Sequence, residues 1–264
     1  MLRRWCVILV MLAAAAGTAL TASSASAAPA APAGAGHFIP GGPARLVGRD
    51  TVGGGLLHQQ ESTNWSGYAA TTGTYTSASA SWTQPAGVCS RGDQYAAFWV
   101  GLDGYSSDTV EQTGSEVDCV GRTAQYYAWY EMYPKGSVNY SNTVKAGDVF
   151  TATVTYEGNG EFSLYIADTT QGWSHTTDAS LSGAARSSAE VIAEAPCCTN
   201  SGGILPLTDF GTVTFTSSDA NGGAIGSAGG VTEIIMVDNR GLDKDTVSSL
   251  SGGTSFSATW VRSS

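Results

Sequence analysis

From residue 64 onward, polar and apolar positions alternate in the short rhythm of β-strands. In SASASWT, Ala78, Ala80 and Trp82 alternate with serines, which predicts a half-buried strand whose small residues let a second layer approach closely. YAAFWVGLDG is a nearly continuous apolar run and reads as a central strand covered on both faces. After a Gly-rich turn, DTVEQTGSEVDC puts Val110, Gln112 and Gly114 on one face, so a neutral amide stands among small and apolar neighbours. In AQYYAWYEMYP, Gln125, Tyr127, Trp129, Glu131 and Tyr133 point one way, while Tyr126, Ala128, Tyr130 and Met132 point the other. DVFTATVTY, the turn EGNGE and FSLYIAD form a hairpin with glycines placed for positive φ. AEVIAE, GTVTFTSS, VTEIIMVDN and TSFSATWVR continue the pattern, for about ten strands and no helix. The expected fold is all-β, a two-sheet antiparallel β-sandwich of jelly-roll, concanavalin-like type.

The first 62 residues break this rhythm. Arg3 and Arg4 precede the apolar run CVILVMLAAAAGTAL, and Ala25-Ser26-Ala27 closes it, which predicts a secretory signal peptide over 1–28. The run is shorter than the roughly 20 apolar residues of a membrane anchor. Residues 29–62 are dense in Pro, Gly and Ala and predict a pro-segment or linker with little structure of its own. Arg45 and Arg49 are its basic residues, and a basic pro-segment has the charge to lie over an acidic cleft and block it. The β-sandwich domain is then 63–264, and a single domain of that size is ordinary for an all-strand chain. Export makes the expected localisation extracellular, with no membrane attachment after signal cleavage, and a monomer is expected.

Composition narrows the chemistry. The formal charge is −10 with few Lys and Arg, none clustered, which excludes nucleic acid and anionic lipid as partners. An acidic, lysine-poor chain gains few repulsive cations at low pH, which suits an acidic medium. Once Cys6 leaves with the signal, Cys89, Cys119, Cys197 and Cys198 remain, and in an exported protein they should be oxidised. Adjacent cysteines rarely meet disulfide geometry, so Cys89 with Cys119, at the outer ends of strands flanking the central hairpin, is the expected bridge; Cys119 with Cys197 or Cys198 is the alternative.

His37 and His58 fall in the upstream segment, leaving His175, in the polar loop QGWSHTTD, as the domain's histidine. That shortage argues against a zinc site and a Ser–His–Asp or Cys–His nucleophile. No Gly-rich segment joins a strand to a helix, so a nucleotide lacks its usual cradle, and no cofactor or metal is expected. Carboxylates and amides remain. A carboxylate can take a proton from water as it attacks a carbonyl, and a glutamine can donate to the oxyanion without adding like charge. Taken alone, Gln112 is more often a buried amide satisfied by backbone, and Glu194 an exposed strand-end carboxylate. Glu190 and Glu194 share a face on a strand and also align on a helix, so periodicity does not choose between them.

Several stretches together carry a resemblance: NWSGY at the domain start, WVGLDG followed by EQTG, AWYEMYP, and AEVIAE, in that order. In these the chain resembles the glutamic peptidases, or eqolisins, acid endopeptidases of fungi and some bacteria. The resemblance runs from Asn64 to about Asp238 and implies cleavage of protein or peptide substrates by a Gln/Glu dyad. It implies that Gln112 and Glu194 are catalytic, Glu as general base and Gln as oxyanion donor, and that Trp99, Asp103, Trp129, Glu131 and Tyr133 occupy cleft positions. Two rival readings stand beside it. A curved sandwich with two carboxylates, Glu131 or Glu111 with Glu194, also describes a glycoside hydrolase, and an aromatic wall also describes a sugar-binding lectin.

Overall fold

The computed structural model describes residues 41–52, 58–90, 92–197 and 203–264, with side chains apart from those of 49–52. The signal peptide, Cys198 and His37 lie outside the described residues. In chain order the strands are β1 (Leu46–Val52), β2 (His58–Ser62), β3 (Trp65–Ala70), β4 (Ser77–Thr83), β5 (Gln94–Leu102) and β6 (Val110–Val120). They continue with β7 (Thr123–Tyr133), β8 (Val138–Asn139), β9 (Val149–Gly158), β10 (Glu161–Asp168), β11 (Trp173–Ser180) and β12 (Ala189–Glu194). The last are β13 (Thr212–Ala220), β14 (Gly223–Ala224), β15 (Val231–Met236), β16 (Asp245–Val247) and β17 (Phe256–Trp260).

These strands form two sheets. One has nine strands in the order β1-β2-β15-β3-β12-β5-β6-β7-β8; the other runs β11-β10-β9-β4-β13-β17-β16, with β14 on β13. The all-β sandwich is as expected, and the strand count is higher because the aperiodic start of the chain and several loops also pair. Residues 46–52 and 58–62 are strands, against the expectation of a segment with little structure. Their composition gives no period, but β15 offers a free edge, and β2 pairs with it in parallel over Thr232–Met236. That pairing is the exception to the antiparallel pattern in the first sheet.

The sandwich interior follows from the alternation. Ala78, Ala80 and Trp82 of β4 face Ala96, Phe98, Val100 and Leu102 of β5 within one buried cluster, the alanines admitting the aromatic rings of the opposite layer. Trp82 stacks on Phe150 at 5.8 Å and donates its indole N–H to Ser115 Oγ at 2.8 Å, tying the sheets through a satisfied polar group. Cys89 and Cys119 are joined by a disulfide, Cα–Cα 5.3 Å, across a sequence separation of 30. Chain entropy gives such a loop roughly 3–4 kcal/mol. Cys197 is itself in a disulfide whose partner lies outside the described residues.

The nine-stranded sheet is buried on its other face too. There Trp65, Ala97, Trp99, Val110, Trp129 and Ile192 make a second, smaller apolar cluster, joined by Ala44, Tyr105 and Tyr133. Trp99, Trp129 and Tyr133 are therefore not sandwich core; they line the outer face on which the amides and carboxylates converge.

Candidate active site

Four adjacent strands, β12-β5-β6-β7, set the positions. On β6, Gln112 is registered between Gly101 of β5 and Glu131 of β7, and Gly114 between Trp99 and Trp129. On β12, Glu194 is registered between Trp65 of β3 and Ala97 of β5. Paired residues point to the same side of a sheet, so Gln112, Glu131 and Glu194 share the outer face. Trp99 bridges the interval between the two rows. Its indole Nε1 donates to Glu194 Oε2 at 2.8 Å, while the far edge of its ring lies over Gly101.

Two glycines make that posture possible. A Cβ on Gly114 would come within 2.5 Å of Trp99 Cβ and 2.3 Å of the Phe98 carbonyl oxygen; one on Gly101 would meet the Trp99 ring at 2.9 Å and Gln112 Cβ at 3.2 Å. With both absent, the indole lies against the sheet instead of standing on it. Trp65 meets it edge-on, at 4.8 Å and 76°.

Glu194 is fully buried and accepts a second hydrogen bond, on Oε1 from Asn64 Nδ2 at 3.4 Å. Burial pushes its carboxyl up to about 8, opposed by the Trp99 and Asn64 donors, with smaller help from the Trp65 indole and the Gly41 main chain. Gln112 is fully buried as well, and its Nε2 donates to Glu131 Oε2 at 2.6 Å while Oε1 has no partner. Glu131 is raised to about 9, by burial first and then by the charge of Glu194, against the Gln112 hydrogen bond. Glu116, in the row of Glu194 across Ala97, is raised by burial and then by Asp118, Glu194 and Glu131. Charges felt in this way lie close together in a poorly screened space. The arrangement offers a carboxyl held by neutral N–H donors, a glutamine amide anchored on one side, and further carboxyls raised toward the protonated form.

The other sequence-predicted residues divide. Trp129, Glu131 and Tyr133 join Gln112 and Trp99 on this face. Asp103 does not: it sits in the turn after β5 at φ 69°, and its carboxylate is taken up by Arg186 N (2.6 Å), Ser187 N (2.9 Å), Ser187 Oγ (3.1 Å) and Ser107 Oγ (3.0 Å). A sparse backbone conformation plus four donors makes Asp103 a fastener of two loops, and the structure does not bring it together with Gln112 and Glu194. Its charge acts instead on Glu111 and Glu190 at the far end of the strands. His175 lies on the other sheet, stacked on Tyr140 at 4.3 Å, with Nε2 at 2.7 Å from Asn142 Oδ1.

The upstream segment reaches the same face. Ala44 N donates to the Gly104 carbonyl at 2.9 Å, Asn64 Nδ2 donates to the Pro43 carbonyl at 3.3 Å, and a Cβ at Gly42 would touch the Tyr133 ring at 3.5 Å. Sequence reasoning missed Asn64, Gly101 and Gly114. Asn64 looks like a strand-entry residue, and the glycines look like ordinary weak points of a strand. Two glycines on neighbouring strands, each opposite a tryptophan or a glutamine, were the available signal.

Comparison with known proteins places this geometry. The sequence signature of the Peptidase A4 family matches residues 63–260. Aspergillopepsin-2 of Aspergillus niger is 28% identical over 250 residues, covering 85% of each chain. Among solved structures, scytalido-glutamic peptidase with a transition state analog inhibitor superposes with a TM-score of 0.66 at 25% identity, over 75% of this chain and 98% of that one. Aspergilloglutamic peptidase from Aspergillus niger superposes at 0.56 with 26% identity, over 64% and 99%. These matches set aside the glycoside hydrolase and lectin readings. A signature spanning most of the chain, on a two-sheet fold shared with glutamic peptidases, means that the chain belongs to the Peptidase A4 family and is a peptide hydrolase.

Proposed function

We propose that the chain is an exported acid endopeptidase in which Glu194 is the general base and Gln112 the oxyanion donor. The observation that carries this reading is the pairing of a carboxylate held by Trp99 with a buried glutamine whose Oε1 has no protein partner. An orphan acceptor on a face lined with carboxyls suits a water or a substrate N–H. In the reaction, water oxygen bonds to the peptide carbonyl carbon as its proton passes to Glu194. Gln112 Nε2 has two hydrogens; one is spent on Glu131, and the other is free for the oxyanion. When the tetrahedral species collapses, the C–N bond breaks and the proton on Glu194 goes to the leaving amine. Protonated Glu131 and Glu116 keep negative charge away from the oxyanion, which favours an acidic optimum.

The upstream segment is, on this reading, an inhibitory pro-segment. Gly41–Ala44 cross the face beside Glu194, Tyr133 and Gly104, where a substrate would lie. Burial beneath it also holds Glu194 protonated at acidic pH, so the covered base is inactive twice over. Opening the face to water relieves the desolvation and lowers that pKa. Processing in or just before the His58–Trp65 stretch would release the segment. The Cys89–Cys119 bridge fits an oxidising, extracellular setting.

The test is purified enzyme on a denatured protein substrate across pH, with pepstatin and a chelator present. Glu194→Gln should be inactive but folded, and Gln112→Glu should act only where low pH protonates one of the two carboxylates. Wild-type rates for Gln112→Ala would reject the dyad. N-terminal sequencing of the active species checks the pro-segment; an active form beginning near Ala28 would reject it.

A further inference from the structure

The hydrogen bonds around Asn64 join the upstream segment to Glu194 through a single side chain. Asn64 is fully buried, and its carbonyl oxygen accepts Ala195 N at 2.8 Å, which fixes it beside the end of β12. Its Oδ1 takes two short bonds, from Arg45 N at 2.7 Å and Ser62 Oγ at 2.9 Å. Its Nδ2 makes two long ones, to the Pro43 carbonyl at 3.3 Å and to Glu194 Oε1 at 3.4 Å. An amide is planar, so pinning Oδ1 by Arg45 and Ser62 also sets where the Nδ2 hydrogens point. Here they divide between the segment and the base and serve neither well, since N–H···O bonds are strongest near 2.9 Å, roughly.

We propose that Asn64 is a positioning residue that couples the docking of the Pro43–Arg45 segment to the general base, its amide being shared between the two until the segment leaves. This rests on the assignment of Glu194 as the base. Departure of the segment removes the Arg45 bond on Oδ1 and the competing acceptor on Nδ2; with a cut before Ser62, its Oγ stays to hold the amide. The Nδ2 group can then turn onto Oε1 and shorten that bond, favouring the ionised carboxylate as the cleft opens. Among the described residues, Glu116 on β6 and Glu131 on β7 oppose the charge of Glu194, while Trp99 on β5, Trp65 and Asn64 at the start of β3, and the Gly41 main chain of the upstream segment favour it. Departure of the segment therefore removes the Gly41 donor and leaves Trp99, Trp65 and Asn64. The Arg45 guanidinium reaches Cys197 Sγ at 3.0 Å. An uncharged donor suits this post, because a cation there would hold the base ionised without letting it keep a proton for the leaving amine.

The experiment uses the full chain, wild type and three variants. Loss of the upstream segment on acidification is followed by intact mass, and kcat/KM of the processed enzyme is followed against pH. Asn64→Ala removes the two side-chain bonds to the segment, at Pro43 and Arg45, and the donor to Glu194, while the Ala44–Gly104 bond remains. It should shed the segment several-fold faster, and its acid limb should move up by about one pH unit, the size of one hydrogen bond to a charged group. Asn64→Asp keeps the acceptor for Arg45 and Ser62, loses the donor and adds a carboxyl beside Glu194, so its limb should move further up. Glu194→Gln is measured alongside: turnover in that variant overturns the dyad and this proposal together. An inactive Glu194→Gln, with the acid limb of the Asn64 variants unmoved or the segment leaving at the wild-type rate, overturns the coupling alone. If Asn64→Ala does not fold, Asn64→Asp carries the measurement; if neither folds, Asn64 is a structural residue and the coupling is rejected.

Discussion

The two ends of β12 carry glutamates four residues apart on one face of one sheet, and both are fully buried. Glu194 receives N–H donors from Trp99 and Asn64, whereas both oxygens of Glu190 are without partners. Around Glu194 lie Trp65, Trp99 and the Gln112–Glu131 pair; Glu190 feels Asp103 and Glu111. Burial raises both carboxyls; against it Glu190 has the nearby Ser188 hydroxyl, whereas Glu194 has the Trp99 indole and the Asn64 amide, more donors able to favour the ionised form. The lesson is that sequence period assigns a face, while the strands on either side assign a role.

The sharpest way to break the contrast is to neutralise each glutamate in turn. Glu194→Gln should cost ~10²–10⁴-fold in kcat/KM, the usual worth of general-base catalysis. Glu190→Gln should keep most of the activity, read on the same protein substrate with folding checked by circular dichroism. Equal losses in the two variants would end the distinction. The next effect is at the proposed partner of Glu194: Gln112→Ala should lose ~10²-fold or more, mainly in kcat, if its amide is the oxyanion donor.

A stability measurement sharpens the comparison from the other end. Glu111 and Asp118 are raised to about 8, Glu131 to about 9 and Asp245 to about 7, mainly by burial, and Glu190 is raised as well. For such acids the folded state holds protons that the unfolded chain gives up above about pH 4–4.5. Stability is therefore greatest below that range and falls as pH rises toward 7–9. The Tm of the full chain should drop over this window, by about 2–4 °C for each kcal/mol lost. Glu190→Gln should flatten the drop and melt higher than wild type at neutral pH; a pH-independent Tm would contradict the burial of these groups. The smallest expected change is in Trp99→Phe, which keeps an aromatic ring on this face but loses the rest of the indole and its N–H to Glu194. Its acid limb in a kcat/KM profile should rise by about one pH unit, with the plateau reduced less than in Gln112→Ala.

Much of the architecture was legible along the chain. Alternation in SASASWT and AQYYAWYEMYP, the continuous run in YAAFWVGLDG and the hairpin glycines of EGNGE identify strands and faces, because a strand's side chains alternate whatever its neighbours are. They identify an all-β sandwich and put Gln112 and Glu131 on a face with Trp129 and Tyr133. The strands of residues 46–62 were not legible, because their Pro- and Gly-rich surroundings carry no period and their pairing comes from an edge of β15 more than 160 residues away. The loop contacts of Asp103 were not legible for a related reason: its partners Arg186 and Ser187 are 83 and 84 residues on, and a local pattern says nothing of them.

By itself the sequence determined which residues alternate, which face each takes, and which side chains have the chemistry of a base and an oxyanion donor. Only the tertiary structure set different partners around Glu190 and Glu194, laid Trp99 across Gly101 and Gly114, and brought Asn64 between Pro43 and Glu194. Periodicity is a property of one strand, whereas a carboxyl's charge state and partners are set by what neighbouring strands and segments place within a few ångströms of it.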